Sequence, residues 1–118
     1  MDTSAHLVAF VNAFVVNARR ERWLELVQNP GTKAGKNRDR LYRALDERYC
    51  ERVESIDHLD PDRKCVVFDF RDPAIVTTLG EAIRTRYGRD IVISLVAGEL
   101  AVHLFHHGDI WLCKKPKK

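Results

Sequence analysis

The 118-residue sequence contains no CxxC pair, and its three cysteines, Cys50, Cys65 and Cys113, are odd in number and far apart. That excludes a disulfide framework and a CxxC-based zinc cage, and it suits a reducing compartment in which each cysteine is a buried structural residue. A glycine-rich phosphate loop, a GxSxG elbow, an HExxH pair and a calcium loop are all missing, which removes the nucleotide-binding and hydrolase classes those motifs mark. Long apolar runs are missing too. Leu7–Val16 is interrupted by Asn12 and has half of the roughly 20 residues a spanning helix needs. Positive charge follows this run, at Arg19, Arg20 and Arg22, and does not precede it, so it lacks the order of a signal peptide. The expectation is a soluble, unprocessed, cytoplasmic protein. Arginines behind a short apolar helix also suit a membrane surface.

What the chain does have is enough apolar content, 45%, for one core, and a length that suits one domain over residues 1–118. Thr3 and Ser4 offer a helix start, and Leu7, Val11, Phe14 and Ala18 lie on one helical stripe that Trp23, Leu24 and Val27 extend. This helix either runs to Pro30-Gly31 or breaks near Asn17, and its β-branched residues leave a strand reading open. Val8, Phe10, Val15 and Val16 lie off the stripe, so the helix is apolar around most of its circumference. It is therefore either a central core helix or one shared with a second copy. The GTKAGKN stretch at 31–37 reads as a flexible connector, and the KKPKK end, residues 114–118, as a disordered tail.

A second helix is expected from Arg38, with Leu41, Leu45, Tyr49, Val53 and Ile56 three or four apart. Residues 65–70, CVVFDF, read as a buried strand. Asp72-Pro73 reads as a helix start, with Ile75, Leu79, Ile83 and Tyr87 on one face before Gly88. Strands at Ile91–Val96, Leu100–His106 and Ile110–Lys114 follow, joined by turns at Ala97-Gly98-Glu99 and His107-Gly108-Asp109. The expected fold is α+β: two N-terminal helices, then β-α-β-β-β, with helices packed on a mixed four-stranded sheet. Its β-α-β portion would be a right-handed parallel crossover.

Net charge is only +3, but residues 19–43 carry eight basic against three acidic side chains, and residues 44–62 are acidic. Arg19, Arg20, Arg22, Lys33, Lys36, Arg38, Arg40 and Arg43, with Trp23 and Tyr42 among them, form the one nucleic-acid-like stretch, because clustered cations neutralise phosphates and aromatic faces stack on bases. The competing reading is a solvated helix face whose arginines pair with Glu21 and Glu25, with both aromatics in the core.

His103, His106 and His107 form the one histidine cluster, and Asp69, between two phenylalanines at a strand end, is the carboxylate best placed to join them. A metal held by His103, His107 and Asp69 would require a bulge or turn, because on a regular strand His103 and His107 lie about 13 Å apart. A hairpin turning at His107-Gly108 would pair Cys113 with Val102 and put Cys113 on a core face with Val102, Leu104 and Trp111.

No complete catalytic set emerges and no cofactor is implied. The reading is a small non-enzymatic binding or adaptor domain acting through protein contact, including self-association. The alternatives are a nucleic-acid-associated protein using residues 19–43 and a metal-dependent hydrolase or nuclease using Asp69 and the histidines.

Overall fold

The computed structural model describes residues 2–31, 38–86 and 88–115, with the side chains of Arg38 and Asp39 excepted. The class is α+β, and four helices and six strands are described. Helix α1, Thr3–Phe14, starts at Asp2, whose carboxylate accepts the Ala5 N–H at 3.1 Å. The chain then breaks at Val15-Val16, makes one 3-10 turn at Asn17–Arg19 and resumes as α2, Arg20–Gln28. Of the two readings of this segment the broken helix is correct. Val16 N–H donates to Ala44 O at 2.9 Å and Asp46 N–H to Phe14 O, so a short antiparallel bridge takes the place of the helical bonds there.

The second expected helix is largely overturned. Helix α3 covers only Arg38–Tyr42, and Cys50–Val53 is strand β1. The bridge to Phe14 and Val16 holds residues 44–46 out of the helix, and the Asp46 carboxylate accepts from Arg48 N–H in a turn that redirects the chain. A spacing of four also satisfies strand alternation, which is why Tyr49 and Val53 fitted both patterns.

Strand β2 is Lys64–Phe68. The helix expected from Asp72 is also corrected: Ile75–Thr78 is strand β3, paired with Lys64–Val67, and helix α4 covers only Leu79–Arg86. Four consecutive β-branched residues favour a ladder partner over the first turns of a helix. Strands β4, Ile91–Val96, and β6, Ile110–Lys114, fall where expected, and β5, Leu100–Leu104, ends two residues early. The β5–β6 register is one residue off the expected one, so Cys113 pairs with Ala101 and shares a face with Ala101 and Trp111 instead of Val102 and Leu104. Lys114 belongs to β6, and Lys115 N–H donates to Glu99 O, so the ordered chain extends into the expected tail.

The sheet is six-stranded, in the order β1-β6-β5-β4-β2-β3, with every pairing antiparallel. The expected mixed four-stranded sheet fails because β1 and β3 are strands where helix was expected; β3 also reverses the chain before α4, so β4 returns antiparallel to β2 with no parallel crossover between them.

Helices α1 and α2 cover one face of the sheet, where Phe10, Phe14, Trp23, Tyr42, Phe68 and Phe70 pack with Val66, Val92 and Cys113. Helix α4 and Ile56 cover the other, over Cys65, Val67, Ile91, Ile93 and Val102. The apolar circumference of α1 is covered within the chain: Leu7, Phe10, Val11, Phe14 and Val15 are buried and Val8, Ala9 and Val16 partly so. At the β4–β5 turn Gly98 adopts φ +71°, and a Cβ there would meet the Ala9 Cβ at 3.4 Å, so the turn both needs glycine and seats against α1. Among the described residues, no helix is long and apolar enough to cross a membrane.

Candidate functional site

The basic stretch is partly assembled. The Val16–Ala44 hydrogen bond brings its two ends together, placing Arg19 and Arg20 near Arg43 in the fold. Arg20 is used locally: Nε donates to Val15 O at 2.9 Å and Nη1 to Asn17 Oδ1, fixing the break between the helices. Arg22 pairs with Glu25 at 3.0 Å. Arg19, Arg40 and Arg43 are exposed and have no ion pair among the described residues. Lys33 and Lys36 lie outside the described residues, as does the side chain of Arg38. Trp23 and Tyr42 offer no stacking face. Trp23 is buried with its indole N–H on Leu41 O at 2.8 Å, and Tyr42 is stacked on Phe70 at 4.4 Å.

The three residues considered for a metal are not brought together. His103 sits in the middle of β5 on the α1–α2 face, fully buried, with the rings of Phe105 at 4.3 Å, Tyr42 at 5.2 Å and Trp23 at 6.4 Å. Neither ring nitrogen has a hydrogen-bond partner among the described residues, and burial pushes the pKa down to about 3, leaving the imidazole neutral. His107 lies beyond Phe105, whose ring is 5.5 Å from it, and pairs through Nε2 with Asp109 at 2.9 Å. Phe105 thus separates the two histidines.

Asp69, 2% exposed, is saturated at the end of β2. It accepts the Arg71 and Asp72 N–H groups at 2.8 Å each and the Arg89 guanidinium at 2.9 Å. Arg89 also holds Asp72, whose carboxyl it keeps below the usual range, so Asp72 ties a loop down and does not cap a helix. Among the described residues no three His, Cys, Asp or Glu side chains could hold a metal.

Two features escaped the sequence. Asp90 accepts both the backbone N–H of His106 at 2.9 Å and its Nδ1 at 3.0 Å. The signal was available, because antiparallel pairing of Ile91 with Leu104 brings the residues just outside β4 and β5 together. The β5–β6 loop, Phe105–Asp109, therefore carries two His–Asp pairs. It borders a cleft of about 340 Å³ whose lining includes Phe105, Trp111, His107, Arg43 and Glu47.

The second missed feature is the contrast between the sheet's two edges. On β1 the middle residues are Glu51 and Arg52, both exposed, and like other charged edges it resists pairing with a foreign strand. On β3 the residues are Ile75, Val76, Thr77 and Thr78, without charge. Ile75, 37% exposed, and Val76, 43%, are the large apolar side chains most open to solvent among the described residues. Pro73 protects only the approach to this edge. Comparison with known protein families, with curated proteins and with solved structures finds no match for this chain.

Proposed function

We propose that the protein is a non-catalytic binding module that docks through the outer edge of β3, and that the strand it takes up is the β3 of a second copy. The observation that carries this reading is the uncharged, apolar and unguarded edge at Ile75–Thr78, set against the charged edge at β1. An antiparallel pairing about a two-fold axis sets the same four residues against themselves, with no charge to repel and with main-chain donors and acceptors supplying the bonds. The first helix gives no support to self-association, since its apolar surface is covered within one chain.

Four residues per copy make a small interface, below the roughly 1,000 Å² of a stable complex, so the pair is weak and concentration-dependent. Sedimentation from micromolar to millimolar protein tests this. The average mass is expected to rise from 13.6 kDa toward twice that value, and Val76→Lys is expected to hold it at one chain throughout with an unchanged melting temperature. A single-chain mass at every concentration, or association that survives Val76→Lys, overturns the reading.

A second reading, contact with nucleic acid, rests on Arg19, Arg40 and Arg43, which are exposed and have no ion pair among the described residues, with Arg43 lining the cleft that contains Trp111. The metal-dependent reading has no comparable support, because Asp69, His103 and His107 are each engaged or enclosed separately.

A further inference from the structure

Cys50 on β1 and Cys113 on β6 are directly opposite one another in the ladder, both buried and both free thiols. Two backbone bonds fix what kind of pair they form. Lys114 N–H donates to Tyr49 O at 2.9 Å, which makes Tyr49 and Lys114 a hydrogen-bonded pair and the next pair, Cys50 and Cys113, a non-hydrogen-bonded one.

The opposite side of β6 agrees. Lys115 N–H donates to Glu99 O, and two residues along the ladder Cys113 pairs with Ala101, so its backbone groups point toward β5 and away from β1. Non-hydrogen-bonded antiparallel pairs bring Cα atoms to about 4.5 Å, within the 4.4–6.8 Å span of disulfides, with both side chains on the same face. The neighbouring Cys50 thiol and burial both raise the Cys113 pKa, as expected for two thiols in contact.

We propose that Cys50 and Cys113 form a cross-strand dithiol that small-molecule disulfides oxidise, locking the edge strand β1 onto β6. The thiolate of Cys50 attacks one sulfur of the external disulfide, forming a mixed disulfide and releasing one small thiol. Cys113, after losing its proton, attacks the Cys50 sulfur, forming the protein disulfide and releasing the second thiol. Two protein thiols are oxidised, one disulfide is reduced to two thiols, and two protons pass to the departing thiolates. Both sulfurs are buried, so the rate is set by transient lifting of β1, a four-residue strand bonded to the sheet on one side only. Cys65 is the internal control: it lies on the opposite sheet face, across from Thr77, with no cysteine opposite.

The test treats the full chain with oxidised glutathione, both folded and during refolding from urea, then alkylates and digests it without reductant. The expected product has lost two hydrogens, links the Cys50 and Cys113 peptides, carries alkylated Cys65, and melts roughly 10 °C higher than the reduced chain. Cys50→Ser is expected to abolish the link and Cys65→Ala to leave it intact. A stable glutathione adduct in place of the link, bridges that include Cys65, or three free thiols after refolding in oxidant would each overturn the proposal.

Discussion

His103 is the residue least at home in its surroundings. Its ring lies among Phe105, Tyr42 and Trp23 with both nitrogens unpartnered among the described residues, so the fold tolerates it only while it is neutral. In the unfolded chain this imidazole protonates near 6.5, and in the folded protein near 3. Between those values the unfolded chain holds a proton that the native state does not, so acidification favours unfolding. The stability tied to His103 is intact above pH 6.5 and falls as pH drops toward 3, by about 2 kcal/mol at pH 5. His6 is shifted in the same direction by burial, and its bond to Ser94 survives in a His103 variant, so a difference between proteins isolates His103. Urea denaturation at pH 7 and pH 5 is expected to show that His103→Leu removes about 2 kcal/mol of the acid-induced loss. Equal losses in both proteins would contradict a buried neutral imidazole at this position.

Among the elements, the loop from β2 to β3 depends most on charge. Arg89, between α4 and β4, reaches across to hold Asp69 and Asp72 together, and burial separates the two contacts. The Asp69 side chain is 2% exposed and that of Asp72 is 49% exposed. Removing the cation from the enclosed carboxylate is expected to cost about 2–3 kcal/mol in Arg89→Ala, softened by the two backbone donors that Asp69 keeps. Asp72→Ala is expected to cost less than about 1 kcal/mol. Thermal unfolding of the two variants checks the ranking, and the reverse order would place the anchor at Asp72.

This loop also marks the limit of what the sequence disclosed. The last three strands were legible because each is an apolar run bounded by glycine turns. β3 was hidden by the helical spacing of Ile75, Leu79 and Ile83, and β1 by a spacing of four that suits helix and strand alike. Asp72-Pro73 has the form of a helix start, but its aspartate is held by a distant arginine, and no local rule encodes that partner. The burial of Trp23 and Tyr42 was legible from their apolar neighbours, while the open edge at Ile75–Thr78 could not be seen while that segment was read as helix.

Taken as a whole, the molecule is weakly basic and locally polarised, and charge is where the nucleic-acid reading meets its test. Anisotropy of labelled single-strand and duplex oligonucleotides at 50 and 200 mM salt is expected, on that reading, to show binding that weakens steeply with salt. Arg43→Glu is expected to weaken it across all sequences and flatten the salt dependence. Intact, unbound probe at 50 mM would leave the β3 edge as the sole binding surface proposed.

The strand order has a separate consequence for synthesis. β1 lies at the sheet edge beside β6, yet the ribosome makes it about sixty residues earlier, and β6 must enter between β1 and β5. While the intervening segments emerge, β1 has no neighbour in the sheet, and two of the three cysteines stay on opposite sides of an unfinished ladder. The sheet therefore closes only once β6 has been made, and stalling before Lys114 is released leaves a nascent chain whose edge strand has nothing to pair with.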